Sequence, residues 1–317
     1  MKKAFKVLLI LGCVAALAAC SKEEDPAVLF LKAGQHTISL GVDERPDTRV
    51  SYSHQKGESV YRFSWSEGDA IGVYIPGRET PVRYTIADGV GGKKATFTLD
   101  ENCSVPLGQQ TVSIFYPYST NESIALPQNM NTCDLENLGN YAVLYAKEVP
   151  MMDGEIGDAA LKHATSYLHF PAGFKFFKDK NTLSPTSYIL DSDNNTSGTL
   201  ETPYRVFNYK NLEPTLSNSS TTLIFTLNDE GKLEDDDDIY IPFFVPEAEE
   251  GVMMQLKWSM VVEPITDSYS NATYNNPDPP QKAMKPGKVY KATNEAFPII
   301  PINFEAVPDN IGGAEID

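Results

Sequence analysis

The chain has 317 residues, with 43 acidic residues against 26 basic ones and a formal charge of −17. A surface this acidic is a poor match for nucleic acid or an anionic membrane, so neither is an expected partner. Apolar residues make up 41% of the chain, including 16 tyrosines and 15 phenylalanines, enough for a sizeable core. The four cysteines show no Cys-x-x-Cys or Cys/His spacing that would mark a metal site, and no metal or cofactor is expected.

The N-terminus carries the sharpest local signal. Lys2, Lys3 and Lys6 lead into an apolar run from Val7 to Ala16, and small residues close on Leu17-Ala18-Ala19-Cys20. A basic stretch, a short apolar stretch and a small-residue cleavage site describe a secretory signal peptide, and the run is shorter than the ~20 residues a membrane-spanning helix needs. The quartet ending in Cys20 resembles the bacterial lipobox, in which the cysteine sulfur takes a diacylglycerol and the new N-terminus is acylated, palmitate being a typical chain. Residues 1–19 are thus read as the signal peptide. Their removal leaves 298 residues and takes the charge to −20, because three lysines depart. The acidic Ser21-Lys22-Glu23-Glu24-Asp25 that follows resembles the surface-export signal of lipoproteins in some Gram-negative anaerobes, which implies an outer-membrane lipoprotein at the cell surface.

From there the chain reads as all-β, in short runs of Val, Ile, Tyr, Phe and Thr punctuated by Gly, Pro, Asn and Asp. Val28–Leu31 is a first strand. His36, Ile38, Leu40 and Val42 alternate along a second, the pattern of a half-buried strand. Asp43–Arg49 is polar and turn-like, an exposed loop. Tyr61, Phe63 and Trp65 alternate, Ser66–Asp69 turns, and Ile71, Val73 and Ile75 return, which reads as a hairpin. Val82–Ile86, Ala95–Leu99 and Thr111–Tyr116 continue the series. Thr132–Leu144 has room for a single helical turn. The polar interval Met152–Asp158 marks a division between two domains. Strands are then expected at Tyr167–Phe170, Phe174–Phe177, Ser187–Leu190, Tyr204–Tyr209, Thr221–Leu227, Ile239–Phe244 and Val252–Val262. In the tail, Ile300, Ile302, Phe304 and Ala306 share one face, but Pro298 and Pro301 confine it to an edge, because proline donates no ladder hydrogen bond.

Enzyme chemistry has no visible carrier. His36, His54, His163 and His169 are scattered. On one ideal strand, His163 and His169 would be separated by ~20 Å, too far for a shared metal. Asp235–Asp238 lacks the ligand spacing and glycine of a calcium loop. Gly89, Gly91 and Gly92 precede Lys93-Lys94 without opening a helix, so they suit a hairpin tip rather than a phosphate loop. No pair of carboxylates stands out for glycoside hydrolysis. Cys103 and Cys133 are left after export. They either pair, closing a loop worth ~3 kcal/mol in the chain-entropy model, or stay as two buried thiols.

Taken with the lipobox, Thr48-Arg49-Val50, the block Phe63-Ser64-Trp65-Ser66-Glu67-Gly68-Asp69-Ala70-Ile71-Gly72-Val73-Tyr74 and Phe115-Tyr116-Pro117-Tyr118 resemble the fimbrillin (type V pilin) family. His163–Phe170 and the turn Ser197–Leu200 are similar to the opening of that family's second domain. The resemblance implies two tandem transthyretin-like β-sandwich domains, here 50–158 and 159–317, after a lipidated propeptide 20–49. It implies a fimbrial subunit, of shaft, tip or accessory type, that supports cell adhesion. Its partners would be other fimbrial subunits, an Arg-specific protease and, before processing, the outer membrane that holds the Cys20 lipid. In such pilins an N-terminal strand, here Val28–Val42, fills a groove until an Arg-specific protease cuts the next loop, and another subunit's C-terminal strand replaces it. Arg45 and Arg49 are the available sites. Pro46 fixes the backbone after Arg45, so Arg49 is favoured. The donor would be the tail carrying Ile300, Ile302, Phe304 and Ala306, unless that strand completes its own domain. The alternative reading is a non-polymerising surface lipoprotein that stacks glycans on Trp65, Trp258 or its tyrosines; a hydrolase is less supported, for want of a motif.

Overall fold

The computed structural model describes residues 28–42, 64–130, 138–170, 175–177, 187–189, 194–216, 222–227, 238–254, 257–264, 272–276, 282–292 and 304–306. Cys20, Arg45, Arg49, Val50, His54, Tyr61, Phe63, Cys133, Ile300 and Ile302 lie outside them. Among the described residues the protein is all-β, with one 3-10 turn at Leu138–Tyr141 where a single helical turn is expected.

The first twelve strands are β1 (Val28–Leu31), β2 (Thr37–Val42), β3 (Ala70–Tyr74), β4 (Val82–Asp88), β5 (Lys94–Leu99), β6 (Cys103–Pro106), β7 (Gln109–Tyr116), β8 (Ser123–Ala125), β9 (Asn129–Met130), β10 (Leu144–Met152), β11 (Glu155–Ile156) and β12 (Ala159–His163). Eight of them form one sheet in the order β11-β10-β12-β2-β5-β4-β3-β7, and β10 also pairs with β7. The sheet therefore returns to itself around one core. That core holds Ile38, Leu40, Trp65, Ile71, Val73, Tyr84, Phe97, Leu99, Ile114 and Leu161. Alternation explains why these runs become strands with one wet face. In β5, Ala95, Phe97 and Leu99 are buried while the residues between them are more exposed.

Two expectations change here. The Ser66–Asp69 turn is present, with Ser66 N–H donating to Asp69 Oδ2 at 2.8 Å. It does not close a hairpin onto β3, however, because both edges of β3 are taken, by β4 and β7. Trp65 instead bridges to Val90 in the β4–β5 loop, whose Gly91 N–H donates to Trp65 O at 2.7 Å. Alternation fixes which face of a strand is buried but not which strand lies beside it. The interval Met152–Asp158 is likewise inside the first sheet. It turns β10 into β11 through Asp153 (φ 49°) and Gly154 (φ 84°), and the sheet continues through β12, five residues beyond the division at 158.

The remaining strands are β13 (Thr165–Phe170), β14 (Lys175–Phe177), β15 (Ser187–Ile189), β16 (Asn194–Glu201), β17 (Tyr204–Asn208), β18 (Glu213–Leu216), β19 (Thr222–Leu227), β20 (Ile239–Phe244), β21 (Val252–Met254), β22 (Lys257–Pro264), β23 (Ala272–Asn276), β24 (Lys282–Met284), β25 (Val289–Ala292) and β26 (Phe304–Ala306). The larger sheets are ordered β20-β13-β25-β26 and β23-β22-β16-β19-β9, with a third, β18-β17-β8, beside them. Ser197–Leu200, expected as a turn, is the middle of β16 and pairs on both sides, with β19 and β22. The expected single strand Val252–Val262 is two, β21 and β22, in different sheets.

The two halves are not strung on a linker. β8 and β9 come from the first half of the chain yet pair with β17 and β19 of the second. The second core is built on Phe170, Leu200, Phe207, Tyr209, Ile241 and Phe244, but it also takes Phe115, Val143, Tyr145 and Ala164. Strands β7 and β10 thus feed both cores. Ile114 and Leu144 face the first, Phe115 and Tyr145 the second. Strands buried on both faces read as continuous apolar runs, as Ile114-Phe115-Tyr116 and Leu144-Tyr145-Ala146 do.

Candidate functional site

β2 is the strand on which the assembly expectation turns. It lies between β5, to which it runs antiparallel, and β12, to which it runs parallel. Ile38 stands opposite Phe97 and Leu40 opposite Ala95 in one ladder, while Leu40, Gly41 and Val42 stand opposite Ala159, Ala160 and Leu161 in the other. Ile38 and Leu40 are buried in the first core, whereas Thr37 and Ser39 face outward. β2 is thus paired on both sides, by β5 along Thr37–Gly41 and by β12 along Leu40–Val42, and Ile38 and Leu40 plug the core.

The approach to β2 is also held. Gly34, at φ 72°, donates its N–H to Leu99 O at 2.9 Å, and Leu99 N–H donates to His36 O at 3.0 Å. The buried His36 ring lies 3.0 Å through Nε2 from Gly154 O and 3.1 Å through Nδ1 from the Tyr84 hydroxyl. Burial, the largest cause, raises the Tyr84 phenol well above its ordinary value, so it stays a neutral hydrogen-bonding group. Before this turn, β1 pairs with β6, Leu31 standing opposite Cys103. Cys103 is a buried thiol and unpaired in this structure, with its ionisation pushed up by desolvation. Its expected alternative partner, Cys133, lies outside the described residues, as do Cys20, Arg45 and Arg49.

At the other end of the chain, β26 pairs with β25, Phe304 opposite Ala292 and Ala306 opposite Tyr290. It occupies the edge of its own sheet, the position expected of a strand that follows Pro298 and Pro301. Ile300 and Ile302 precede it outside the described residues.

The Gly68–Tyr74 block acquires a physical role at the junction of the halves. Gly68 takes φ 84° in the turn. Asp69 accepts hydrogen bonds from Ser66 N–H and from the Tyr116 hydroxyl, the latter at 3.1 Å. Gly72 stands opposite Phe115, whose ring covers it, and Phe115 stacks on Tyr209 at 4.1 Å and 22°. Tyr74 leans on the same ring at 5.4 Å. Ion pairs Lys147–Glu213 (3.0 Å), Lys162–Glu247 (2.7 Å) and Lys210–Glu122 cross the same junction. The Lys162 hydrogen bond holds the Glu247 carboxyl below its usual range.

The remaining sequence candidates disperse. Trp65 is buried edge-on between Phe97 (5.0 Å) and Tyr116 (5.5 Å), so it presents no face to a sugar. His163 ends β12 in the first sheet and His169 lies in β13 of the second, on separate strands rather than the single ideal strand. His169 Nε2 sits 2.6 Å from Asp238 Oδ2 and its ring stacks on Tyr240. Asp238 is thereby tied to its neighbours, while 235–237 lie outside the described residues. Sequence reasoning missed β12 as the parallel flank of β2; the apolar Leu161 and buried His163, two apart, were the available signal.

No family model matches the chain. No curated protein matches it either. Among solved structures, a candidate cell adhesion protein from Bacteroides uniformis is 14% identical, with a TM-score of 0.48 over 85% of this chain and 97% of that one. A candidate cell adhesion protein from Bacteroides ovatus is 15% identical, with a TM-score of 0.47 over 86% and 95%. A third, from Parabacteroides distasonis, is 10% identical, with a TM-score of 0.37 over 85% and 94%.

Proposed function

We propose that this chain is a subunit of cell-surface fimbriae of the fimbrillin type, two transthyretin-like units assembled by strand exchange and supporting adhesion. It is exported as a lipoprotein on Cys20 and freed by an Arg-specific cut after Arg49. One observation carries the reading. β2 sits inside the first sheet paired on both sides, and the segment bearing Arg45 and Arg49 follows Val42 directly in sequence. A cut in that segment leaves Val28–Val42 held by hydrogen bonds and apolar contacts alone. Its departure exposes the facing edges of β5 and β12 and the pockets of Ile38 and Leu40. Such an open slot is an aggregation-prone edge unless another strand fills it, and strand addition is the recognition mode it suits.

In this scheme the filling strand is the tail of another subunit, Ile299–Val307. β26 is held by a three-residue ladder at a sheet edge, a small attachment to give up. The test is to treat purified precursor with an Arg-specific protease and look for heat-sensitive oligomer ladders on gels. Ladders that vanish on deletion of Ile299–Asp317 are expected. No ladder from cut precursor, or polymerisation that survives the deletion, overturns the repeating-subunit reading.

A further inference from the structure

Nine large apolar side chains are exposed among the described residues, and five of them, Val28, Leu29, Phe30, Leu107 and Met152, lie at one corner, where the two-stranded sheet of β1 and β6 adjoins the turn that ends β10. Three separate pieces of chain build this corner. Val28 stands opposite Pro106, next to Leu107. The turn at Gly108 is bonded to the turn at Asp153, Gly108 N–H donating to Asp153 Oδ1 at 2.8 Å, and Met152 stands opposite Gln109. Gly154 packs against Leu29, whose Cδ2 lies 3.0 Å from where a Cβ on Gly154 would be. β1 alternates: Leu31 turns inward with Leu29 on the same side against Gly154, while Val28 and Phe30, on the other side, are 62% and 58% exposed. Large apolar groups gathered this way mark a contact surface.

We infer that this corner rests on the lipid bilayer while the precursor is anchored, a step that relies on the reading of Cys20 as lipidated. The argument is one of reach. Val28 is eight residues after Cys20, and eight residues span at most ~29 Å. The corner is thus the part of the described fold tied most closely to the acyl chains. The chain's charge, −20 once the signal peptide is gone, works against electrostatic adhesion to an anionic surface. The contact is therefore apolar, with Val28, Phe30, Leu107 and Met152 bedded at the headgroup boundary and the tether keeping them there. It also divides usefully on cutting. Val28 and Phe30 belong to the segment that stays with the lipid, and Leu107 and Met152 to the body that leaves.

The full lipidated precursor, carried in zwitterionic phosphatidylcholine–phosphatidylethanolamine vesicles with shallow brominated acyl chains, tests this. Phe30→Trp is expected to fluoresce bluer and to be quenched beyond the parent, which carries Trp65 and Trp258, in low and in high salt alike. Leu216→Trp, on an exposed site of β18, is expected to match the parent. Val28→Trp provides a second probe should Phe30→Trp disturb the ladder. If both corner probes remain unquenched on vesicles while mass spectrometry finds lipid on Cys20, the bilayer contact is refuted and the anchor stands. If the probes are instead shielded without vesicles, in step with protein concentration, a second copy covers the corner and the inference also falls. A precursor without lipid on Cys20 removes the anchor reading and this inference with it.

Discussion

Replacing Gly72 by alanine is the most direct probe of how the two halves are joined. A Cβ at Gly72 would lie 2.2 Å from Phe115 Cζ, 2.5 Å from Cε1 and 2.8 Å from Cε2. Ordinary contact begins near 3.4 Å, so the ring has to withdraw by more than an ångström. It has little room to do so, because its other face stacks on Tyr209 at 4.1 Å and Tyr74 leans on it. Overpacking a filled core costs about 1–3 kcal/mol. Disturbing an aromatic stack adds up to about 1 kcal/mol. Gly72→Ala should therefore destabilise the protein by about 1–4 kcal/mol, read as a drop in the urea midpoint followed by near-ultraviolet circular dichroism. Phe115→Leu, which trims the ring, should relieve part of the clash, so the double variant should be more stable than the sum of the two single effects by about 1 kcal/mol or more. A Gly72→Ala midpoint indistinguishable from the parent, or strictly additive variants, would refute the close approach as the reason for glycine there.

Three further outcomes are expected. Leu40→Ala removes a plug from the slot and should cost about 2–5 kcal/mol in the uncut precursor; after an Arg-specific cut, the N-terminal peptide should elute earlier in a denaturant series than the parent's, and equal elution would count against β2 as a side-chain plug. Arg49→Ala should leave the precursor uncut while Arg45→Ala is processed normally, and N-terminal sequencing of the product decides between them. His163 is buried, and desolvation lowers its pKa to about 3 from 6.5. The unfolded chain therefore takes up that proton first. Stability should be full above pH 6.5 and fall by ~1.4 kcal/mol per unit on acidification toward 3. His163→Gln should flatten the pH dependence of the urea midpoint between pH 6.5 and 5, and an unchanged slope would clear His163.

How far the chain was legible depends on how many faces of each strand are wet. β2, β4 and β5 each have one face outward, and their alternation is plain in His36–Val42, Val82–Ile86 and Ala95–Leu99. β7 and β10 serve two cores, so Phe115 and Tyr145 break the alternation, and the run Leu144–Met152 gives no strand signal of period two. Ser197–Leu200 looks like a turn from its glycine and hydroxyls, yet pairing on both sides makes it a central strand, tertiary context overriding local preference. Met152–Asp158 looks like a division because turn residues are the same whether they end a domain or a hairpin. The site was legible in part. Periodicity marked β2 and its inward residues, but it carries no information on neighbours, so the parallel flank β12 and the pairing of Trp65 with Val90 were invisible.

That missed flank bears on when the slot can be emptied. β12 is held on one side by β2 and on the other by β10, the latter only at Leu144–His163 and Tyr145–Lys162. The other wall, β5, keeps the long β4 ladder whatever happens to β2. Losing β2 therefore weakens the two walls unequally, and the weaker one leads directly into the second half. After His163 the chain enters the second core at Ala164, whose N–H donates to Val143 O at 2.9 Å, and then becomes β13. Lys162 on β12 also carries the ion pair to Glu247. An empty slot would loosen the strand that helps set how the halves meet, and a filled one would fix it again. In the proposed assembly, a strand that replaces β2 must thus do more than close an edge: it must restore the parallel ladder to β12.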